Sequence, residues 1–178
     1  MLYPAPIRDT LMWLAKTDLF RARWTDKIHD EWISSLLKKR PDLSPEDLAV
    51  TRQKMDSNVL DCLVTGYHDL ISGLQLPDDG DRHVLAAAIT CSADAIVTFN
   101  LKHFPQECLD KYGIEAIDPD DFVILQMGLS KHTVLHAVKK QRENLRNPPK
   151  TIDEFLSSLE QCGLVQTVSE LRRYREFL

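Results

Sequence analysis

Apolar residues follow two patterns along this chain, a helical spacing and a short continuous run. The run Ala95–Phe99 lacks polar alternation, as expected of a strand that is covered on both faces. Gly113–Ile117 is a second predicted strand, and helical patterns lie between and around the two. Because alternating strands and helices imply right-handed crossovers, the pattern predicts an α/β fold with a parallel sheet.

Capping residues mark where several predicted helices begin. Thr25 precedes a helix that runs to about Lys39, and Ser44 precedes one that runs to about Asn58. Thr151 and Glu154 have the spacing of a capping box. Further helices are predicted over 8–16, 82–92, 131–145 and 165–177, another begins near 118–119, and short strands are possible over 20–24 and 61–65.

The chain changes character after residue 129. From Ser130 onward the pattern is helical and contains no strand. About 48 residues hold little hydrophobic core of their own, so this part is expected to be an appended extension. The predicted division is an α/β domain over residues 1–129 and a helical extension over residues 130–178.

Composition narrows the class of protein. Of the 178 residues, 43% are hydrophobic and 28% are charged, which is usual for a soluble globular protein. No run approaches the roughly 20 apolar residues of a membrane span, and Met1–Leu14 lacks the features of a signal peptide. A cytoplasmic protein without membrane association is expected. The four cysteines are scattered and form no CxxC motif, which argues against structural zinc.

Charge is unevenly distributed. The net charge of −5 does not indicate a nucleic-acid binder, but residues 1–130 carry net −8 whereas residues 131–178 carry net +3. Such a basic stretch is either the solvated face of a helix or a patch that contacts phosphates. Its main members are Lys131, Lys139, Lys140, Arg142 and Arg146.

Polar residues that could carry chemistry collect around the strand Ala95–Phe99. Asp78, Asp79 and Asp81 precede an alanine-rich apolar helix, and Asn100 follows the strand. Ligands of parallel sheets bind beyond the carboxyl ends of the strands, and clustered carboxylates suit Mg²⁺ or Mn²⁺. Two alternatives remain open, because Asp81 could serve only as a helix cap and Asn100 only as a turn residue.

The same residues carry a family resemblance. Asp81–Ala88, together with Ala93–Lys102 and Phe104-Pro105, resembles the PIN-domain family, and in particular the metal-dependent ribonucleases of VapC-type toxins. Asp30-Glu31-Trp32 is similar to the acidic helix of that family. The segment Leu2–Asp9 resembles the part that follows the first strand of the family, and the tail 145–155 is similar to a bacterial branch with a helical extension.

This resemblance implies a three-layer PIN-like parallel sheet and a specific chemistry. Glu31 and Asp81 would bind one or two Mg²⁺ or Mn²⁺ ions, with their carboxylates within about 8 Å of each other. Asn100 and Asp79 would place water or substrate, and the reaction would be hydrolysis of RNA phosphodiesters. The family also implies a toxin–antitoxin setting with an antitoxin protein as partner.

The chain departs from the family pattern in two places. His103 stands where relatives commonly have an acid, and a lone histidine is more often a surface residue than a ligand. The first strand of the family, with its Asp and Asn, would precede Leu2, so we expect that strand and its metal ligand to be missing. Compensation is then expected from new pairing of Ala95–Phe99 or from exchange between two copies in a homodimer.

These departures leave alternatives to an active nuclease. Catalysis could be impaired, or the protein could be an inactive PIN-like binding partner or RNA-binding scaffold. An unrelated metal-dependent phosphatase is a weaker alternative, because the chain has no phosphorylatable Asp motif.

Overall fold

The computed structural model describes residues 4–146 and 148–178. Residues 1–3, at the start of the segment Leu2–Asp9 compared above, and Asn147 lie outside the described residues. In chain order the helices and strands are α1 Ala5–Ala15, α2 Asp26–Lys39, α3 Pro45–Asn58, α4 His68–Ile71, α5 Arg82–Thr90, β1 Ala95–Val97, α6 Gln106–Leu109, β2 Glu115–Ile117, α7 Pro119–Glu143, α8 Ile152–Gln161 and α9 Val165–Arg172.

The predicted helix starts are confirmed at three caps. The Thr25 hydroxyl accepts a hydrogen bond from the backbone N–H of Ile28, and the Ser44 hydroxyl accepts one from Asp47. Thr151 and Glu154 form the complete capping box at the start of α8. These interactions involve residues three positions apart, and this is why the sequence alone could indicate them.

The chain folds as two compact units. One, the α/β unit, contains Ala22–Asp118, and the other, the helical unit, combines the described residues 4–21 with Pro119–Leu178. The predicted domain boundary at 129/130 stays a prediction. The boundary between the two compact units lies earlier in the chain, after Asp118. The reason is that α7 begins at Pro119 and passes through position 130 with only a kink at Ser130, whose φ is −153° and ψ is 90°.

The fold is mixed α/β and mostly helical, with a small parallel sheet. In the described residues β1 pairs only with β2, in the register Ala95–Glu115, Ile96–Ala116 and Val97–Ile117. The chain between these strands contains α6, as a parallel crossover requires. The core of this region is formed by apolar residues of α5, β1, α6 and the loops around them: Val64, Tyr67, Leu74, Leu76, Leu85, Ala86, Ala87, Ala88, Ile96, Phe104, Leu109 and Ile114.

The two shorter predicted strands are reduced to a single parallel bridge. Trp24 donates its backbone N–H to the Cys62 carbonyl at 2.8 Å, and Val64 donates to the Trp24 carbonyl at 2.8 Å. Longer pairing is prevented on both sides. The helix α2 begins at Asp26, directly after the bridge, and Asp61 has a φ of 54°, which interrupts extended backbone.

The helical unit consists of α1, α7, α8, α9 and a short 3₁₀ turn over Arg175–Phe177. A polar contact inside it joins α1 to α7, because Thr10 donates to Gln141 Oε1 at 2.9 Å and Gln141 Nε2 donates to the Pro6 carbonyl at 3.0 Å. Among the described residues, no helix is both long and apolar enough to cross a membrane. The most deeply buried apolar side chains of the unit are Ile7, Leu14, Val123, Val134, Val138, Phe155, Leu156, Leu159, Leu164, Val168 and Leu171.

The buried carboxylate of Asp120 caps α9 from a distant part of the sequence. Its two oxygens accept hydrogen bonds from the backbone N–H groups of Gln166, at 2.7 Å, and of Thr167, at 2.8 Å. We expect Asp120→Ala to lower the free energy of unfolding by about 2–4 kcal/mol, because two amides lose their acceptor in a buried place. Urea unfolding measures this loss.

Asp121→Ala is the matched control, since the exposed Asp121 accepts only from the Gln166 side chain among the bonds described here. It should change the free energy of unfolding by less than about 1 kcal/mol. Equal losses for the two variants would show that Asp120 does not cap α9.

Candidate functional site

The acidic cluster lies on a tight turn at the start of α5. Asp79–Asp81 form a 3₁₀ turn, and Asp78 stabilises it by accepting a hydrogen bond from the Gly80 N–H at 2.8 Å through Oδ1. Asp81 then occupies the N-cap position of α5, but its side chain makes no capping hydrogen bond. The Asp81 side chain therefore does not act as a helix cap, and its carboxylate points away from the first amides of α5.

Asp81 contacts His103. The Asp81 Oδ2 atom lies 2.7 Å from His103 Nδ1, and Asp78 Oδ2 lies 3.7 Å from the same nitrogen. Asp78, Asp81 and His103 each offer a ligand atom, and these atoms lie within 4.8 Å of one another. Two carboxylate oxygens and one imidazole nitrogen at this spacing fit a divalent cation after small side-chain rotations.

Glu31 lies beside another histidine. Glu31 Oε1 on α2 is 2.8 Å from Nε2 of His83, which is fully buried on α5. Among the described residues neither ring nitrogen of His83 forms a hydrogen bond of regular geometry, although Nε2 lies close to Glu31. Burial lowers the pKa of His83, although the charges of Glu31 and Asp81 both act to raise it. The lowered pKa leaves the His83 ring uncharged at neutral pH.

His83 contacts Glu31 directly, and the charge of Asp81 acts to raise the pKa of the same ring. Glu31 is not part of the three-residue group around His103. The predicted separation of about 8 Å between the Glu31 and Asp81 carboxylates remains a prediction.

The other two predicted site residues lie outside the three-residue group. Asp79 is exposed and forms an ion pair with Arg82. Asn100 is exposed three residues after β1, because the strand ends at Val97 and not at the predicted Phe99. Its N–H donates to the Thr98 hydroxyl at 3.1 Å, and its carbonyl accepts from the His103 N–H at 2.9 Å. Its φ is −93°, so the left-handed geometry that would favour Asn in a turn is not required here.

Three residues near the predicted ligands are not among the site residues that the sequence predicts. In the sequence Asp78 is one member of the acidic cluster, and His103 is a departure from the family pattern. His83 belongs to a predicted apolar helix. The signal that could have found His103 is its position, because the turn after β1 brings position 103 back towards the start of α5.

A network of hydrogen bonds connects α2, the helix that carries Glu31, to α3. Asp56 Oδ1 on α3 accepts from Trp24 Nε1 at 2.8 Å and lies 2.9 Å from His29 Nε2. Trp32 Nε1 donates to His29 Nδ1 at 2.9 Å. Because Nδ1 accepts this bond, the His29 proton is on Nε2 and is donated to Asp56. The network connects α2, α3 and the extended segment at Trp24.

Cys62 also faces Asp56, with its thiol 3.9 Å from Asp56 Oδ1. Burial, and next the negative charge of Asp56, raise the pKa of Cys62 to about 11. Only the thiolate reacts with iodoacetamide, so at pH 8 we expect Cys62 to be alkylated on the order of 100-fold more slowly in the folded protein than in urea. Mass spectrometry of the labelled peptides measures both rates. Labelling of Cys62 as fast as the partly exposed Cys108 would contradict this prediction.

The basic residues of the helical unit mostly have partners. Lys131 pairs with Glu170 and donates to the Tyr174 hydroxyl, and Lys140 pairs with Glu143. Arg142 donates to the Leu178 carbonyl. These contacts reduce the positive charge that is free to meet a phosphate, and a phosphate-contacting patch at these positions stays a prediction.

In the α/β unit, an open groove lies beside Glu31. It is lined by Lys27 and Lys38 together with Asp30, Ser34 and Ser35.

Comparison with known proteins gives two matches. Residues 119–173 match the family described as VapC50 C-terminal domain, and this match begins where the second segment of the helical unit begins. The chain is also 40% identical over 94 residues to "Putative ribonuclease VapC50" of Mycobacterium tuberculosis (strain ATCC 25618 / H37Rv). This second match covers 53% of the chain and 55% of the relative, so it spans about half of each. No solved structure matches the chain.

Proposed function

We propose, from the relationship of this chain to the VapC-type PIN toxins, that it is a metal-dependent ribonuclease that hydrolyses RNA phosphodiesters. The recognition of that family from the sequence is confirmed by the two matches. We further propose a PIN-like arrangement for the α/β unit, a cytoplasmic site of action and an antitoxin protein as partner. The observation that carries the proposal is the convergence of Asp78 and Asp81, before α5, with His103, on the turn that follows β1.

The donor set fits the group that the family implies. Asp81 is not used as a cap, and Asp78 uses Oδ1 for the turn and keeps Oδ2 for the cluster. These two residues would hold Mg²⁺ or Mn²⁺, with Glu31 as a further ligand from α2. When bound, such an ion makes water a better nucleophile and offsets the charge that develops on the phosphate.

The remaining groups would position the substrate. The side-chain amide of the exposed Asn100, three residues after β1, can donate to a phosphate oxygen or to water. Lys27 lies along the same groove as Glu31, where its charge can attract the RNA backbone. Asp79 would act from the outer side of the cluster, although its ion pair with Arg82 weakens it as a ligand.

We expect slow catalysis, because three of the acids already have a partner. Glu31 contacts His83, Asp79 contacts Arg82 and Asp81 contacts His103 through Oδ2, so these contacts must loosen before the carboxylates can bind a cation. The same observation favours a second candidate function, a PIN-like protein that binds RNA or a protein partner without cleaving. His103 in place of an acid supports that alternative.

Cleavage of single-stranded RNA by the purified whole chain tests the proposal. We expect products with Mn²⁺ or Mg²⁺, none with excess EDTA, and recovery when metal is added back. Glu31→Gln should reduce the rate, because an amide keeps the shape of the side chain but is a weaker ligand than a carboxylate. RNA that is bound but remains intact at every metal concentration would favour the scaffold and would exclude the nuclease. Cleavage that persists in EDTA would show that the reaction does not depend on a divalent metal.

A further inference from the structure

We propose that His103 makes this site selective for transition-metal ions over Mg²⁺. The inference rests on the proposed function, because it names the metal that the same carboxylates would hold. The ions concerned are Mn²⁺, Co²⁺ and Zn²⁺, all of which accept an imidazole nitrogen as a ligand. The evidence is the arrangement of His103 with Asp78 and Asp81.

The cluster presents one nitrogen and two oxygens to a common point. His103 Nδ1 lies 2.7 Å from Asp81 Oδ2 and 3.7 Å from Asp78 Oδ2. The orientation of Asp78 is fixed by the bond from the Gly80 N–H to its other oxygen. The Asp81 carboxylate does not cap α5, and its Oδ2 is directed at His103 instead.

His103 is held in place by the turn on which it lies. Leu101–His103 form a 3₁₀ turn, and the His103 N–H donates to the Asn100 carbonyl at 2.9 Å. The next residue, Phe104, is buried in the core of the α/β unit. An imidazole between a closed turn and a core residue is restricted in position, and its side chain is only 24% exposed. It is therefore better placed for ligation than a mobile surface histidine.

The chemistry of the donors sets the expected selectivity. Two carboxylates attract any divalent cation, so they discriminate little between Mg²⁺ and Mn²⁺. Mg²⁺ prefers oxygen ligands in a near-octahedral arrangement and gains little from a nitrogen. The affinity of a nitrogen-containing site rises from Mn²⁺ to Co²⁺, and Zn²⁺ binds imidazole well. His103 thus adds affinity for these ions and almost none for Mg²⁺.

Another possible metal site, a pair of histidines on α7, must be removed before metal binding at the cluster can be measured. His132 and His136 are both exposed on α7 and are four residues apart, so they lie on the same face of the helix. Such a pair can itself bind Co²⁺ or Zn²⁺. The whole chain carrying His132→Gln and His136→Gln is therefore the reference protein.

Calorimetric titration of the reference protein with Co²⁺, Mn²⁺ and Mg²⁺, without RNA, tests the inference. We expect the Kd for Co²⁺ to be at least roughly tenfold lower than the Kd for Mg²⁺, and the absorption spectrum of bound Co²⁺ to indicate nitrogen ligation. Adding His103→Asp should weaken Co²⁺ binding by roughly tenfold or more while Mg²⁺ binding is retained or strengthened. Adding His68→Gln, which changes an exposed histidine of the same unit, should alter neither value.

Similar affinities for Co²⁺ and Mg²⁺, or Co²⁺ binding that His103→Asp leaves unchanged, would overturn the inference. Circular dichroism spectra of all variants exclude loss of the fold as the cause. A protein that binds the metal selectively but is not a nuclease gives a different result. It would bind Co²⁺ more tightly than Mg²⁺ in a manner that depends on His103, but it would not cleave RNA with Co²⁺, Mn²⁺ or Mg²⁺.

Discussion

Asp81→Asn is expected to reduce metal-dependent RNA cleavage on the order of 100-fold or more. The substitution removes a charged ligand from the centre of the cluster, where the Asp81 carboxylate lies 2.7 Å from His103 Nδ1. Preorganised charges that act on the developing transition state typically contribute effects of this size. Cleavage rates at saturating Mn²⁺, measured from the appearance of RNA fragments, provide the value.

The loss should be specific to the reaction. Because the Asp81 side chain makes no capping hydrogen bond, the substitution should leave the helix α5 intact. Asp69→Asn makes the same chemical change on the exposed surface of α4 and should leave the rate within about twofold of the unmodified protein. If Asp81→Asn cleaves as fast as Asp69→Asn, the chemistry does not take place at this cluster.

The second large effect concerns the hydrogen-bond network that connects α2 to α3. We expect Asp56→Ala to lower the free energy of unfolding by about 2–4 kcal/mol, because Trp24 Nε1 and His29 Nε2 both lose their acceptor. Both donor residues are buried, so water can replace the carboxylate only in part. Urea unfolding followed by tryptophan fluorescence measures the loss and also reports on Trp24 directly.

A conservative variant separates the hydrogen bonds from the charge. Asp56→Asn retains an acceptor oxygen and should cost less, about 1 kcal/mol. The exposed control Asp69→Ala should change the free energy of unfolding by less than about 0.5 kcal/mol. If Asp56→Ala were no more destabilising than Asp69→Ala, the network would not be what holds α2 against α3.

Local features of this fold could be predicted from the sequence, whereas distant contacts could not. The caps at Thr25 and Ser44 involve neighbours three residues away, and both appear where the sequence indicated them. The two shorter strands were predicted from residue type alone, but their backbone permits only the bridge between Trp24 and Leu63. A run of suitable residues favours a strand, and only pairing with a neighbouring segment makes one.

The site follows the same division. The acidic turn before α5 could be recognised from its sequence, because three carboxylates lie within four positions. The contact between Glu31 and His83 joins residues 52 positions apart, and that between Asp81 and His103 joins residues 22 positions apart. No periodicity encodes such contacts, since they depend on how α2, α5 and β1 pack. His103 therefore looked like a departure from the family pattern, although its ring lies against the predicted ligand.

The position of a bound metal ion tests the central claim most directly. Crystals of the whole chain grown with Mn²⁺ and measured near the manganese absorption edge would locate the ion by its anomalous signal. We predict a peak about 2.0–2.6 Å from a carboxylate oxygen of Asp81, with the Glu31 carboxylate within about 8 Å of that of Asp81. A peak found only elsewhere, for example between His132 and His136, or no peak at saturating Mn²⁺, would contradict the assignment of this cluster as the metal site.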